Sequence, residues 1–334
     1  MSRLPRQFKK VQDKALLNAI EAGLELVEAE LADAVANSDK IVDSASRHLL
    51  EAGGKRVRPV LVLLTAQLGN ASRDEVIKAA VVSELTHLAT LYHDDVVDDA
   101  PTRRGVPTAQ KVYGNSIAIL AGDVLLARAS QIGVGLGAES LRLQAETFER
   151  LCIGQLHETI GPQDGEDQLA HYIQVMADKT GSLLASSALM GVIHSNAPFE
   201  YREPIAQFAE RIGIAFQLID DVIDISEAGP SGKTPGTDLR AGVPTLPTLL
   251  LQKAADAGDT EAAELIQFIA SGLEDDAKLA EALRRLREHP VAAEAEIEAK
   301  RWAISAVDAI SVLPDSSVKR ALEQFAEAVV NRDN

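Results

Sequence analysis

The 334 residues include a single cysteine, Cys152, so no disulfide can form within the chain, and a reducing compartment suits it. A lone thiol of this kind reads as a small buried side chain. No apolar run reaches the ~18 residues that a membrane span needs. Pro59 to Ala66 is short, and Ser116 to Ala127 is interrupted by Asp123. Met1 to Lys10 carries Arg3, Arg6, Lys9 and Lys10 without the apolar segment of a secretory signal. These absences set the expectation of a soluble, cytoplasmic protein with no transmembrane segment. Positive charge is also scarce: 33 basic against 50 acidic residues leave a net charge of -17. General attraction to nucleic acid or to an anionic lipid surface is therefore not expected. Any anion the chain binds must meet a local basic island.

Strand signals are sparse, whereas apolar residues recur at three and four through long windows rich in Ala, Leu, Glu and Arg. The expected class is all-α, a single large helical bundle around a central cavity, with residues 1–334 forming one domain. Ser72-Arg-Asp-Glu75 reads as a capping box that opens a helix running through Val76, Ala80, His87 and Leu91. Pro101 should end that helix. Gly53-Gly54 should stop an earlier helix, and Pro59 suits the first turn of the next. Further breaks fall at Gly161 to Asp167, Ala228 to Pro247, Asp256 to Thr260 and Pro290. The longest of these, Ala228 to Pro247, reads as a mobile flap.

Two aspartate clusters share one spacing, Asp94-Asp95-Val-Val-Asp98 and Asp220-Asp221-Val-Ile-Asp224, 126 positions apart. Carboxylates at i and i+4 of a helix project from one face about 6 Å apart along the axis, a spacing that suits ligands of neighbouring hard cations. Magnesium is normally held by one or two carboxylates, with phosphate oxygens and water filling the remaining positions. At about 100° per residue, His87, Thr90, Asp94 and Asp98 share one stripe, and Gln217, Asp220 and Asp224 share another. Facing each other, with Asp95 and Asp221, they would surround one cleft with six carboxylates. The cations fall in small groups: Lys55, Arg56 and Arg58; Arg103 and Arg104; Lys179 and Lys233. Arginine forks match phosphate oxygens and lysine adds a compact charge, so these groups could hold diphosphates. One acidic pair on a helix is usually a solvated face. Two clusters of one spacing, each with basic partners, are not explained that way.

In these pieces the chain resembles the trans-isoprenyl diphosphate synthases, the farnesyl diphosphate synthase-like family, in its long-chain polyprenyl branch. The matching segments are Gly53-Gly-Lys-Arg-Val-Arg-Pro59, His93-Asp-Asp-Val-Val-Asp-Asp-Ala-Pro-Thr-Arg-Arg-Gly105, Lys179-Thr180, Gln217-Leu-Ile-Asp-Asp-Val-Ile-Asp224 and Gly232-Lys-Thr-Pro-Gly-Thr-Asp-Leu239, in the family's order. The resemblance implies about a dozen helices around a cavity, a homodimer, and three magnesium ions. It implies that Lys55, Arg58, His87 and Arg104 bind isopentenyl diphosphate. Asp94, Asp98 and Asp220 would ligate magnesium, with Asp95 and Asp224 completing the acidic set. Arg103, Lys179 and Lys233 would grip the allylic diphosphate, while Thr180 and Gln217 face the reacting carbon. Thr237 stands where many relatives carry a second lysine, which removes one expected phosphate contact.

The implied reaction is ionisation of the allylic diphosphate, attack by the isopentenyl double bond and loss of a proton. It requires no nucleophilic serine or cysteine. Ala89 and Thr90 lie one turn before Asp94, where a growing tail would run, and short-chain relatives block that region with an aromatic ring. Small residues there imply an all-trans product of C30 to C50, with a shorter geranylgeranyl product as the alternative. A class I terpene cyclase would keep one Asp-rich cluster and lack Lys55 and Arg58. A non-catalytic partner subunit would have lost aspartates, and none is lost here.

Overall fold

The computed structural model describes residue 5 and residues 13–226 and 235–331, which are almost wholly helical. In chain order the first helices are α1 (Lys14–Val35), α2 (Lys40–Glu51), α3 (Val57–Ala66) and α4 (Asp74–Val97). A two-residue hairpin, β1 (Thr102–Arg103) with β2 (Val106–Pro107), then leads to α5 (Ala109–Tyr113), α6 (Asn115–Leu136), α7 (Ala138–Ile160) and α8 (Gln168–Met176). A π-helical turn at Ala177–Gly181 passes directly into α9 (Ser182–His194), and a 3-10 turn at Phe199–Tyr201 into α10 (Arg202–Ile225). The chain closes with α11 (Thr237–Ala241), α12 (Leu246–Asp256), α13 (Thr260–Ala270), α14 (Asp276–Glu288), α15 (Pro290–Ala309) and α16 (Ser317–Val330).

Two apolar clusters hold these helices. One gathers α1 to α4, α6, α9, α16 and the first half of α10, around side chains such as Tyr92, Leu61 and Phe208. The other joins the second half of α10 to α12, α13 and α14 through Leu218, Leu251 and Leu286. Helix α10 therefore belongs to both, and Trp302 of α15 packs against both.

Several expected boundaries hold. Helix α2 ends at Glu51, and Gly53 takes φ +86, which favours glycine. Pro59 sits in the first turn of α3, where its missing N–H costs nothing. The capping box does not form. Helix α4 starts at Asp74 with Arg73 as an N-cap that makes no side-chain capping bond, and Ser72 Oγ donates to Asn70 instead. The Ala228–Pro247 stretch is not a continuous flap either: α11 lies inside it and α12 begins at Leu246. Lys233 lies outside the described residues.

One helix, α6, is long and apolar enough to cross a membrane by length and composition alone, although Asp123 and Arg128 interrupt its apolar residues. Its small residues, Ala118, Ala121, Gly122, Ala129 and Gly133, are buried, while Leu120 and Val134 are exposed. Small residues also set the approach of α3 to α9. A Cβ on Gly191 would fall 2.1 Å from Thr65 Oγ1 and 2.3 Å from the Val62 carbonyl oxygen. Thr65 Oγ1 in turn donates to Ala188 O at 2.8 Å. Gly191→Ala should therefore destabilise the protein by about 1–3 kcal/mol through overpacking, read from its urea denaturation midpoint.

Candidate active site

A cavity of about 650 Å³ opens between α4, α7, the π-helical turn and α10. Its polar lining is Arg58 from α3, His87, Thr90 and Asp94 from α4, Arg103 from the hairpin, Lys179 and Thr180 from the π turn, and Gln217 from α10. The α4 members are the stripe that helical periodicity picks out. The π turn was not legible in advance. It widens the backbone where α8 runs into α9 and brings the consecutive residues Lys179 and Thr180 to the cavity together. Helix α10 comes up to that turn backbone to backbone, since a Cβ on Gly213 would lie 2.8 Å from Gly181 Cα. Gln217, one turn beyond Gly213, thereby lines the same space as Thr180.

Helical rotation divides the first acidic cluster. Asp94 is half-buried in the cavity wall, and burial raises its carboxyl to about 6, with Lys179 pulling the value down and Asp98 pushing it up. Asp98 follows one turn later as the exposed C-cap of α4. Asp95 is rotated about 100° from Asp94 and is fully buried. Arg103 Nε donates to Asp95 Oδ1, and Asp95 Oδ2 has no partner among the described residues. Instead of facing the cavity as the expected ligand, Asp95 thus ties the hairpin to α4. Burial raises its carboxyl as well, against the pull of Arg103.

The second cluster is divided in a similar way. Asp221 is buried and accepts hydrogen bonds from Tyr172 Oη at 2.5 Å and Leu246 N at 2.9 Å. Burial lifts its carboxyl to about 7. Asp224, expected as a ligand, accepts from Thr237 N and Asp238 N at 3.2 Å each and so caps α11. Two of these three carboxylates therefore fasten the chain that follows α10. Asp220 is half-buried, three residues beyond Gln217. Among the described residues no group of three or more His, Cys, Asp or Glu side chains could hold a metal ion alone. The half-buried Asp94 carboxylate, with Asp98 one turn away, still fits a magnesium ion that draws its remaining ligands from phosphate and water.

Positive charge gathers around His87. Arg56, grouped by sequence with the candidate anion binders, is structural: it pairs with Glu28 at 2.5 Å and with buried Glu84 at 3.1 Å. Arg58 is half-buried in the cavity lining, and its Nε has no hydrogen-bond partner among the described residues. Burial lowers its guanidinium to about 10, partly offset by Glu84. Arg104 Nη1 donates to Leu49 O at 2.8 Å and to Gly53 O. Gly54 makes room for this cluster, since a Cβ there would lie 2.8 Å from Arg56 Nη1 and 3.0 Å from Arg104 Cζ. Burial, followed by the charges of Arg58, Arg104 and Arg103, holds His87 well below its usual value, so it is neutral at pH 7. Lys55 is exposed on the same loop and does not line the cavity.

Other placements differ from expectation. Ala89 is fully buried and does not line this cavity, because five residues back from Asp94 is about 140° round the helix, whereas Thr90 is about 40° away. Cys152, expected to be buried, lines the cavity and is exposed, since its face of α7 forms the wall. Glu158 on α7 pairs with Lys179. Their separation of 21 residues follows no local period, so no sequence signal pointed to Glu158.

Protons and a divalent cation compete for Asp94. With its carboxyl raised to about 6, the magnesium concentration needed for half-maximal effect should rise steeply as pH falls below 6 and stay flat above 7. Titrations at pH 5.5 and 7.5 test this, and Asp94→Asn should flatten the difference while weakening magnesium dependence overall.

Residues 39–286 match the family model described as polyprenyl synthetase. The chain is 40% identical to the nonaprenyl diphosphate synthase of Mycobacterium tuberculosis over 96% of its own length and 95% of the relative's. Among solved structures it is similar to the geranylgeranyl pyrophosphate synthase of Corynebacterium glutamicum, complexed with calcium and isoprenyl diphosphate. That match has a TM-score of 0.87 and 39% identity, covering 97% of this chain and 99% of the other. A decaprenyl diphosphate synthase from Rhodobacter capsulatus superposes with a TM-score of 0.85 at 29% identity, covering 96% and 99%. The two aspartate clusters, the cavity between α4 and α10 and these matches agree: the chain belongs to the polyprenyl synthetase family and is a prenyltransferase that elongates prenyl diphosphates.

Proposed function

We propose that the protein is an all-trans polyprenyl diphosphate synthase that joins isopentenyl diphosphate to an allylic diphosphate within a single domain, giving products of C30 to C50. The observation that carries this reading is one cavity whose lining holds Asp94 and Lys179 together with Arg58 and neutral His87. Such a lining offers two diphosphates chemically distinct surroundings. Arg58, Arg104 and exposed Lys55 receive the isopentenyl diphosphate, and His87 adds an N–H donor without adding charge. Arg103 and Lys179, with Lys233 from outside the described residues, hold the allylic diphosphate. Three magnesium ions, held by Asp94, Asp98 and Asp220, would neutralise the charge gathering on the departing diphosphate.

Cleavage of the allylic C–O bond sends its electron pair to that diphosphate and leaves an allylic cation. The isopentenyl double bond supplies the electrons for the new C–C bond, and a proton then leaves the adjacent carbon to restore a double bond. Thr180 and Gln217 line the cavity, and their side-chain dipoles would stabilise the cation. Lys179 must be released from Glu158 to reach a phosphate, so substrate competes with an existing ion pair. The long product is supported by an apolar α7 wall and by the nonaprenyl diphosphate synthase relative; the geranylgeranyl synthase relative favours a shorter one. Homodimer formation is supported by the exposed apolar residues Leu120, Val134, Ile153 and Ile160 on α6 and α7.

Purified protein with radiolabelled isopentenyl diphosphate, geranyl, farnesyl or geranylgeranyl diphosphate and magnesium should give a ladder of extended alcohols after dephosphorylation. Absence of incorporation with every primer would overturn the proposal in favour of a partner subunit. Arg58→Ala should raise the KM for isopentenyl diphosphate by about 10- to 100-fold, the worth of one charge-assisted contact, with a smaller effect on the allylic KM. Thr90→Phe should shorten the product, whereas Ala89→Phe, aimed into packed core, should first lower stability.

A further inference from the structure

Lys179 and Thr180 reach the cavity from a π-helical turn, a rare backbone form found mostly as single turns inside α-helices. Sparse conformations persist where the surroundings over-determine them, and the residue before Lys179 shows how that is done here. Asp178 is buried, and both of its carboxylate oxygens are bonded: Arg150 Nε of α7 donates to Oδ1 at 2.8 Å, and Gln174 Nε2 of α8 donates to Oδ2 at 2.9 Å. The Asp178 carbonyl accepts from Ser182 Oγ of α9 at 2.5 Å. The second branch of the same guanidinium, Arg150 Nη2, donates to Glu210 Oε1 of α10 at 2.6 Å. One arginine therefore joins α7, the turn and α10, three elements that wall the cavity.

Steric contact leaves this joint little slack. A Cβ on Gly154 of α7 would lie 2.9 Å from Asp178 Cβ and 3.0 Å from Lys179 Cγ, and a Cβ on Gly181 would lie 3.0 Å from Glu210 Cγ. The glycines set how closely the backbones approach, and the rigid guanidinium fork sets how the turn is rotated between them. Rotation matters because consecutive helical residues point about 100° apart: holding Asp178 on Arg150 aims Lys179 and then Thr180 at the cavity. Glu210 lies seven residues before Gln217, about two turns along the same face of α10, so this arm also references the turn to the helix that carries Gln217. Arg150, Asp178 and Glu210 do not themselves line the cavity. The Arg150 and Glu210 side chains are 40% and 32% exposed, where an ion pair adds little to stability, so their arrangement is better explained by what it holds.

We infer that Arg150 is a positioning residue for the reaction, a clamp that orients the π turn so that the Lys179 ammonium and the Thr180 hydroxyl face the allylic substrate. The inference rests on the reading of Lys179 as an allylic-diphosphate ligand given above and adds the residue that holds it in place. A misplacement of about 1 Å can cost about 100-fold in rate, so loosening the clamp lowers activity without removing any group that touches substrate. Lysine at position 150 offers one compact ammonium, which cannot hold Asp178 and Glu210 together in the fixed geometry of the fork.

The test compares wild type, Arg150→Gln, Arg150→Lys, Lys179→Ala and the double variant Arg150→Gln/Lys179→Ala, with labelled isopentenyl diphosphate, farnesyl diphosphate and magnesium. Circular dichroism melts accompany each variant, and Glu210→Gln, which breaks one arm, stands in for Arg150→Gln if that variant fails to fold. The expected result for Arg150→Gln is a kcat lower by about tenfold or more and a raised KM for farnesyl diphosphate, with the KM for isopentenyl diphosphate unchanged and a melting temperature near that of wild type. Arg150→Lys should fall between the two. In the Lys179→Ala background the further loss from Arg150→Gln should shrink to about threefold or less, because the group it positions is gone. A folded Arg150→Gln, or Glu210→Gln in its place, with wild-type kcat and farnesyl KM overturns the clamp while leaving the elongation reading intact. So does a loss that persists undiminished in the Lys179→Ala background. No incorporation by wild type overturns the elongation reading, and the clamp falls with it.

Discussion

The guanidinium of Arg58 and the carboxylate of Asp94 are each held half-buried in the wall of one cavity with too little opposite charge beside them. Burial pulls Arg58 down and Asp94 up, which in both cases means that the charged form is short of solvation. Such groups cost stability in the empty protein and gain it when an ion of the opposite sign arrives. Under the proposed function a diphosphate would supply it to the arginine, and a divalent cation would supply it to the aspartate. The rest of the architecture holds these two deficits in the wall of one cavity without an ion pair between them. Glu84 sits beneath the arginines, fully buried, and pairs directly with Arg56 rather than with Arg58.

Each aspartate cluster performs two kinds of work, separated by rotation about its helix. In the first, Asp94 faces the cavity, while Asp95 turns about 100° away and secures the hairpin that carries Arg103. In the second, Asp221 and Asp224 fasten α12 and α11 to α10. A motif that looks like a row of metal ligands is therefore also the anchorage of the hairpin that carries Arg103 and of the helices that follow α10. Tyr172 joins this anchorage through its bond to Asp221, and its hydroxyl is raised well above the usual value by burial and the carboxylate beside it.

The all-α class, the α2 and α3 boundaries and the stripe of His87, Thr90 and Asp94 were legible because each follows from a periodicity of three to four residues or from glycine and proline chemistry. Long-range pairings were not. Glu158 with Lys179 and Arg56 with Glu28 join residues distant in sequence, and no local pattern marks them. The π turn at Ala177–Gly181 also left no signature, because its extra residue is accommodated by packing against α7 and α10 rather than by composition. The capping box failed for a related reason: Ser72 had a nearer acceptor in Asn70.

By itself the amino-acid sequence determined which residue types could act and on which helical faces they lie, since those follow from rise and rotation along a chain of known order. It placed Asp94 and Gln217 on two faces but could not bring them to one chamber. Only the tertiary structure decided which carboxylate lines the cavity, which arginine is paired with a buried glutamate, and which residues share one wall. Those outcomes depend on desolvation and on contacts between helices far apart in the chain, neither of which local spacing encodes.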